Sequence, residues 1–117
     1  MSLTAVTNRP KAMLARIKQL IDEGKIVTWQ YDADGDFTHT PDQWRNHAWF
    51  RPYVEAGQLR FGIITGGVMT HVIYGVFHGR FIEMLATHVT DYYSEVAASS
   101  EKGPGDTWGT PAQAVQR

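Results

Sequence analysis

Three features of this chain predict a two-layer α+β domain: helix-period apolar stripes near both ends, a central region of alternating apolar and polar residues, and Gly-containing pairs that punctuate the alternation. Two amphipathic helices covering one side of an antiparallel sheet satisfy all three. The expected order is an N-terminal helix, a mostly antiparallel sheet of four to five strands, a C-terminal helix packed on one face, and a flexible C-terminal tail. Residues 1–98 are read as the domain and residues 99–117 as a Gly/Pro-rich tail.

The first helix is predicted over "RPKAMLARIKQLIDEG". Met13, Leu14, Ile17, Leu20 and Ile21 recur at helical spacing, Pro10 suits a first turn, and Gly24 suits a stop. "KIVTWQYDA" reads as a strand with Val27, Trp29 and Tyr31 on one side. Asp34-Gly35 then reads as a two-residue hairpin loop leading into a short return strand, "DFTH". In "TPDQW", a Thr-x-x-Gln capping box with Pro41 at the first helical position predicts one or two helical turns ending near His47.

"AWFRPYVEAGQLRFGIITGGVMTHVIYGVFHG" reads as three antiparallel strands turning near Ala56-Gly57 and Gly66-Gly67. Pro52 cannot donate to a ladder, which places its strand at an edge or a bulge. "RFIEMLATHVTDYYSEVAAS" reads as the second helix, with Phe81, Ile82, Leu85, His88, Val89, Tyr92 and Val96 in one sector. His88 is accordingly expected in the core or an interface. Trp108 is the one large apolar group of the tail and its expected anchor.

Bulk properties narrow the function classes. The 117 residues suit one domain with a real core, and 43% hydrophobic with 20% charged residues is an ordinary globular balance. A net charge of −1 argues against a strongly basic nucleic-acid binder. With no cysteine there is no disulfide, thiolate nucleophile or cysteine-ligated zinc. No signal-peptide core opens the chain, and the longest apolar run is interrupted by Gly66, Gly67 and His71. A cytoplasmic protein without membrane association is expected.

Charge alternates in sign along the chain. Residues 1–25 carry five bases and two acids, residues 26–44 four aspartates and no Lys or Arg, residues 45–80 four arginines and Glu55, and residues 81–117 five acids and two bases. Such alternation favours self-complementary association.

Several residues are candidates for chemistry. Asp32, Asp34 and Asp36 with His39 or His47 resemble a metal loop in composition, but the sixth and twelfth positions counted from Asp32 are Phe37 and Gln43, not the Gly and Glu of a calcium loop. A two-residue hairpin loop would also set Ala33 opposite Asp36 and Asp32 opposite Phe37, pointing the carboxylates apart. The stretch therefore reads as a turn. His78 and Arg80, expected at a strand-to-helix turn, could hold an anion at the start of the last helix. No nucleophile motif is present, so catalysis is not expected, and no cofactor is implied.

The most informative feature is "WRNHAWFRPYV". On its strand Trp49, Arg51 and Tyr53 share a face, and pairing with the next strand adds Arg60. This aromatic and basic surface suits a protein interface, in which Trp, Tyr and Arg are favoured. The sequence thus points to a small self-associating binding or accessory protein, with a homodimer expected. The alternatives are a small metal-binding protein or enzyme built on the Asp32/Asp34/Asp36 loop, and single-stranded nucleic-acid binding on the same sheet face.

Overall fold

The computed structural model describes residues 3–100, 102 and 106–109, with Trp108 and Gly109 by their backbone alone. Strand β1 (Leu3–Val6) leads into helix α1 (Pro10–Asp22), and β2 (Trp29–Tyr31) and β3 (Phe37–His39) form a short hairpin. Next come β4 (Trp49–Glu55), β5 (Gln58–Val68) and helix α2 (His71–His88). A 3-10 turn at Thr90–Tyr92, β6 (Glu95–Ala98) and β7 (Thr107–Gly109) follow. The strands are ordered β2-β3-β4-β5-β1-β6 with every neighbour antiparallel, and β7 adds to β5 in parallel. The sheet curls as a half-barrel, and the α+β class is as predicted.

The β4–β5 ladder sorts the residues. Phe50↔Ile63, Pro52↔Phe61 and Val54↔Leu59 lie on the inner face, while Trp49↔Ile64, Arg51↔Gly62 and Tyr53↔Arg60 lie on the outer one. β3 pairs with β4 only at Phe37↔Phe50, so Pro52 lies where the β3 ladder has ended, as its missing N–H requires. Met13, Ile17 and Leu20 of α1 and Phe77, Phe81, Met84 and Leu85 of α2 join the inner-face residues Leu3, Trp29, Phe37, Phe50, Phe61 and Ile63 in one buried cluster. Phe81 is central to it: its ring centroid lies 4.7 Å from Phe50, 4.7 Å from Phe61 and 4.9 Å from Trp29. These separations are those of favourable tilted and edge-on aromatic pairs.

The structure corrects several local expectations. Instead of four to five strands the described residues form seven, because β1, β6 and β7 come from segments read otherwise. β1 carries no local turn signal and exists through its pairing with β5 on one side and β6 on the other. "EVAA" was expected as the end of the second helix but is β6, since Val96 can join the inner side opposite Ala5 only as a strand. The second helix starts at His71 rather than Arg80, so the third strand expected after Gly66-Gly67 does not exist and β5 runs through those glycines to Val68. A short apolar run has no periodicity that separates strand from buried helix. Here Thr70 decides, its side chain accepting the Ile73 N–H at 3.1 Å as an N-cap.

His88, expected in the core or an interface, is outside the core: it is exposed in the last turn of α2, which ends there. Residues 41–47 form successive turns, not a helix, and Thr40 gives its hydroxyl to the Val27 carbonyl instead of capping. Part of the tail joins the sheet as β7, and the Asp106 carboxylate accepts the Ile63 N–H at 2.9 Å. The expected anchoring by the Trp108 side chain lies outside the described residues.

Replacing Phe81 with Ala should cost about 3–5 kcal/mol, as for other large buried aromatics, while Thr70→Ala should cost about 1 kcal/mol through the lost cap. Urea unfolding of both variants beside the parent measures the two losses.

Candidate functional site

The outer face of β4 and β5 brings Trp49, Arg51, Tyr53 and Arg60 together, as the strand alternation predicts. All four are half-buried on the side of the sheet opposite the helix-packed core. Tyr53 and Arg60 are cross-strand partners, and the Arg60 guanidinium lies 4.2 Å from the Tyr53 ring centroid. A planar cation over an aromatic ring gains electrostatic attraction and holds both side chains in place.

Both arginines have carboxylate partners within the chain. Arg60 Nη2 donates to Glu55 Oε2 at 2.8 Å. These hydrogen bonds, with a further one from Gln58, hold the Glu55 carboxyl below its ordinary pKa and raise that of Arg60. Arg51 grips Asp36 with two parallel bonds, Nε to Oδ1 at 2.9 Å and Nη2 to Oδ2 at 2.7 Å. The Asp36 side chain is fully buried and that of Arg51 is 42% exposed, so this pair is shielded on its acidic side only. The bidentate fork is the strong form of a charged hydrogen bond, and Asp36 raises the Arg51 pKa through it.

The aspartate loop departs from the expected geometry. β2 and β3 pair through Tyr31↔Phe37, and the Asp32 N–H donates to the Asp36 carbonyl at 3.0 Å. The loop is therefore Ala33-Asp34-Gly35, one residue longer than the two-residue turn, with Gly35 at φ +84. A third loop residue with glycine in the left-handed region is a common hairpin solution. Asp32 selects it, because its Oδ1 accepts both the Asp34 and the Asp36 N–H at 3.0 Å. Asp32 now lies opposite Asp36 rather than Phe37, and the three carboxylates converge, each offering an oxygen within 4.8 Å of the others. The expectation that they diverge is overturned by that one-residue change in loop length.

The remaining candidates do not join this face. His78 and Arg80 sit inside α2, not at a strand-to-helix turn, so no unbonded first-turn N–H lies beside them and the expected anion site is not assembled. Arg80 is exposed and pairs with Glu83 at 3.2 Å. His78 is buried: its Nδ1–H donates to the Tyr74 carbonyl at 2.6 Å, and its ring stacks on Tyr74 at 4.0 Å. His78 Nε2 has no hydrogen-bond partner among the described residues. His39 is buried against Trp29, centroid to centroid 4.6 Å, and its Nδ1–H donates to the Thr28 carbonyl at 2.8 Å. His47 is exposed on the 41–47 turns. The inward phase of "FTH", with Phe37 and His39 two apart, was the sequence signal for a buried His39.

Burial lowers the pKa of both His39 and His78 below the ordinary histidine value. For His39 the Thr28 bond and Glu83 oppose that shift while Arg80 adds to it, and for His78 the Tyr74 bond and Asp106 oppose it. The unfolded chain therefore takes up protons first as pH falls through about 6.5. Their contribution is complete above that pH and declines below it. The melting temperature should fall between pH 7 and pH 5, and His78→Phe should flatten that fall in calorimetric scans.

Removing Arg51 takes two charged hydrogen bonds from a fully buried carboxylate. Arg51→Ala should cost about 2 kcal/mol, less than the roughly 3–5 kcal/mol for a wholly buried pair because the guanidinium is partly in water. Adding Asp36→Asn should recover part of the loss in the same urea assay.

No known protein family, no curated protein and no solved structure matches this chain.

Proposed function

We propose that the protein is a small self-associating accessory domain that binds another polypeptide through the outer sheet face around Trp49, Arg51, Tyr53 and Arg60. The observation that carries this reading is the internal neutralisation of that face. Asp36 and Glu55 take up the two guanidinium charges, leaving a surface of aromatic planes and pre-oriented arginines with little net charge. Such a surface loses little side-chain entropy on docking and carries the residue types that dominate protein interfaces. Single-stranded nucleic acid is favoured less, because phosphates would have to displace both carboxylates.

A photo-crosslinking residue at position 53 tests the reading. In extracts of the producing cell, the proposal expects one discrete polypeptide adduct from position 53. No such adduct should form from position 72 on α2, where the side chain is 64% exposed. The adduct should disappear in the Trp49→Ala background. No adduct, or the same adduct from both positions, would count against it.

A second reading, cation binding at Asp32, Asp34 and Asp36, is favoured by their convergence. It requires calcium, magnesium or manganese to raise the melting temperature of the parent but not of Asp34→Asn. The binding-domain reading expects no such difference.

A further inference from the structure

We propose that residues 106–109 are a detachable strap on the β5 edge, and that the edge they cover accepts an extended acidic segment of another polypeptide in their place. The inference does not rest on the reading of the Trp49 face. On the side away from β4, β5 is covered by two separate strands, β1 from Gln58 to Phe61 and β7 from Ile64 to Val68. The β1 pairing is a regular antiparallel ladder. The β7 pairing is parallel, with a strand of three residues, and irregular: β5 advances four residues from Ile64 to Val68 while β7 advances two from Thr107 to Gly109. Parallel pairs are the weaker kind per residue, and a break in register disrupts a ladder that is already short. No described strand lies on the other side of β7, and Thr107 is exposed. Undocking β7 leaves all seven β4–β5 partners in place, so the strap can open without unfolding the core.

The strap itself displays what the edge recognises. Asp106 fills the gap between β1 and β7: it is 6% exposed, and its carboxylate accepts the Ile63 N–H at 2.9 Å. An acceptor is needed there, because Ile63 is fully buried and an unpaired buried N–H is costly. A charged acceptor suits the surroundings. Glu55 is the chief cause of the raised Arg60 pKa, and the Asp106 charge adds to it. Burial lowers the pKa of His78, and Asp106 opposes that shift. The seat beside Ile63 thus favours an acid over a neutral or basic side chain. A segment that enters in parallel with β5 runs on past Val68 toward Met69 and Thr70. An open cleft of about 460 Å³ lies there, lined in part by Met69, Thr70, His71 and Tyr74. Strand addition draws its affinity from main-chain hydrogen bonds and its selectivity from side-chain seats. On this edge the carboxylate seat at Ile63 and the cleft beyond Val68 are those seats.

NMR of the full chain tests both halves of the proposal. In the parent, amide exchange at Ile63 and at residues 107–109 should share one rate and outrun that of the β4–β5 ladder. The probe for binding is the synthetic peptide PGDTWGT, the sequence of residues 104–110. It should shift the Ile63 and Val68 signals of Asp106→Ala at lower concentration than those of the parent, whose own strap competes. With alanine in place of its aspartate, the peptide should bind that variant about tenfold more weakly, the cost of one charged hydrogen bond. Exchange at Ile63 as slow as the ladder's overturns the detachable strap, and that result needs no variant. A peptide that shifts neither protein overturns the acceptor edge, and equal binding to parent and variant overturns the shared seat. Binding that survives loss of the peptide's aspartate overturns the recognition of an acid.

Discussion

The pairing of β4 with β5 governs the rest of the molecule. Seven consecutive partners, from Glu55↔Gln58 to Trp49↔Ile64, give each residue of the two strands a side. A slip of one position would exchange Phe50, Phe61 and Ile63 with Trp49, Arg60 and Gly62, emptying the core and burying a guanidinium. The register is held by the tight turn at Ala56-Gly57, where Gly57 has φ +79, and by Phe81, which meets Phe50 and Phe61 across the two strands. The face on which Trp49, Arg51, Tyr53 and Arg60 gather is thus a by-product of the same constraint that builds the core.

Charge on that face is arranged within the chain. Arg51 and Asp36 come from different hairpins and meet because β3 and β4 are adjacent at Phe37↔Phe50, one residue from each. The burial of Asp36 depends in turn on the loop that Asp32 shapes by accepting two backbone N–H groups. An acidic run that looks like a cation loop when read linearly therefore serves two structural purposes, a turn cap and an ion pair. The proposed interface inherits its near-neutral, pre-oriented character from this arrangement.

The fold class, α1, the β4–β5 hairpin and the composition of the outer face were legible, because each rests on a period or turn signal contained within a few residues. The edge or bulge expected at Pro52 was not found: β4 is an interior strand with an unbroken register to β5, and Pro52 is accommodated because β3 pairs with β4 only at Phe37↔Phe50. The two-residue hairpin, the capping box at Thr40 and the helix continuing into "SEVAAS" were misread. In each case a local signal lost to a partner distant in sequence or to an alternative hydrogen bond. Thr40 turned to Val27, and "EVAA" turned to β1. The placement of His78 and Arg80 at a helix start failed because the true start at His71, capped by Thr70, lies nine residues before Arg80.

By itself the sequence determined which residues are apolar, at what spacing they recur and where the chain can turn. Those facts suffice for an α+β sheet with an aromatic and basic outer row, because side-chain alternation follows from backbone geometry alone. Tertiary structure decided what spacing cannot encode. It made β1 and β6 strands through each other, placed β7 on β5, aimed three aspartates at one point and gave Arg51 its buried partner. Each of these depends on contacts between segments far apart in the chain, and a short segment has too little energy of its own to choose its state before those contacts form.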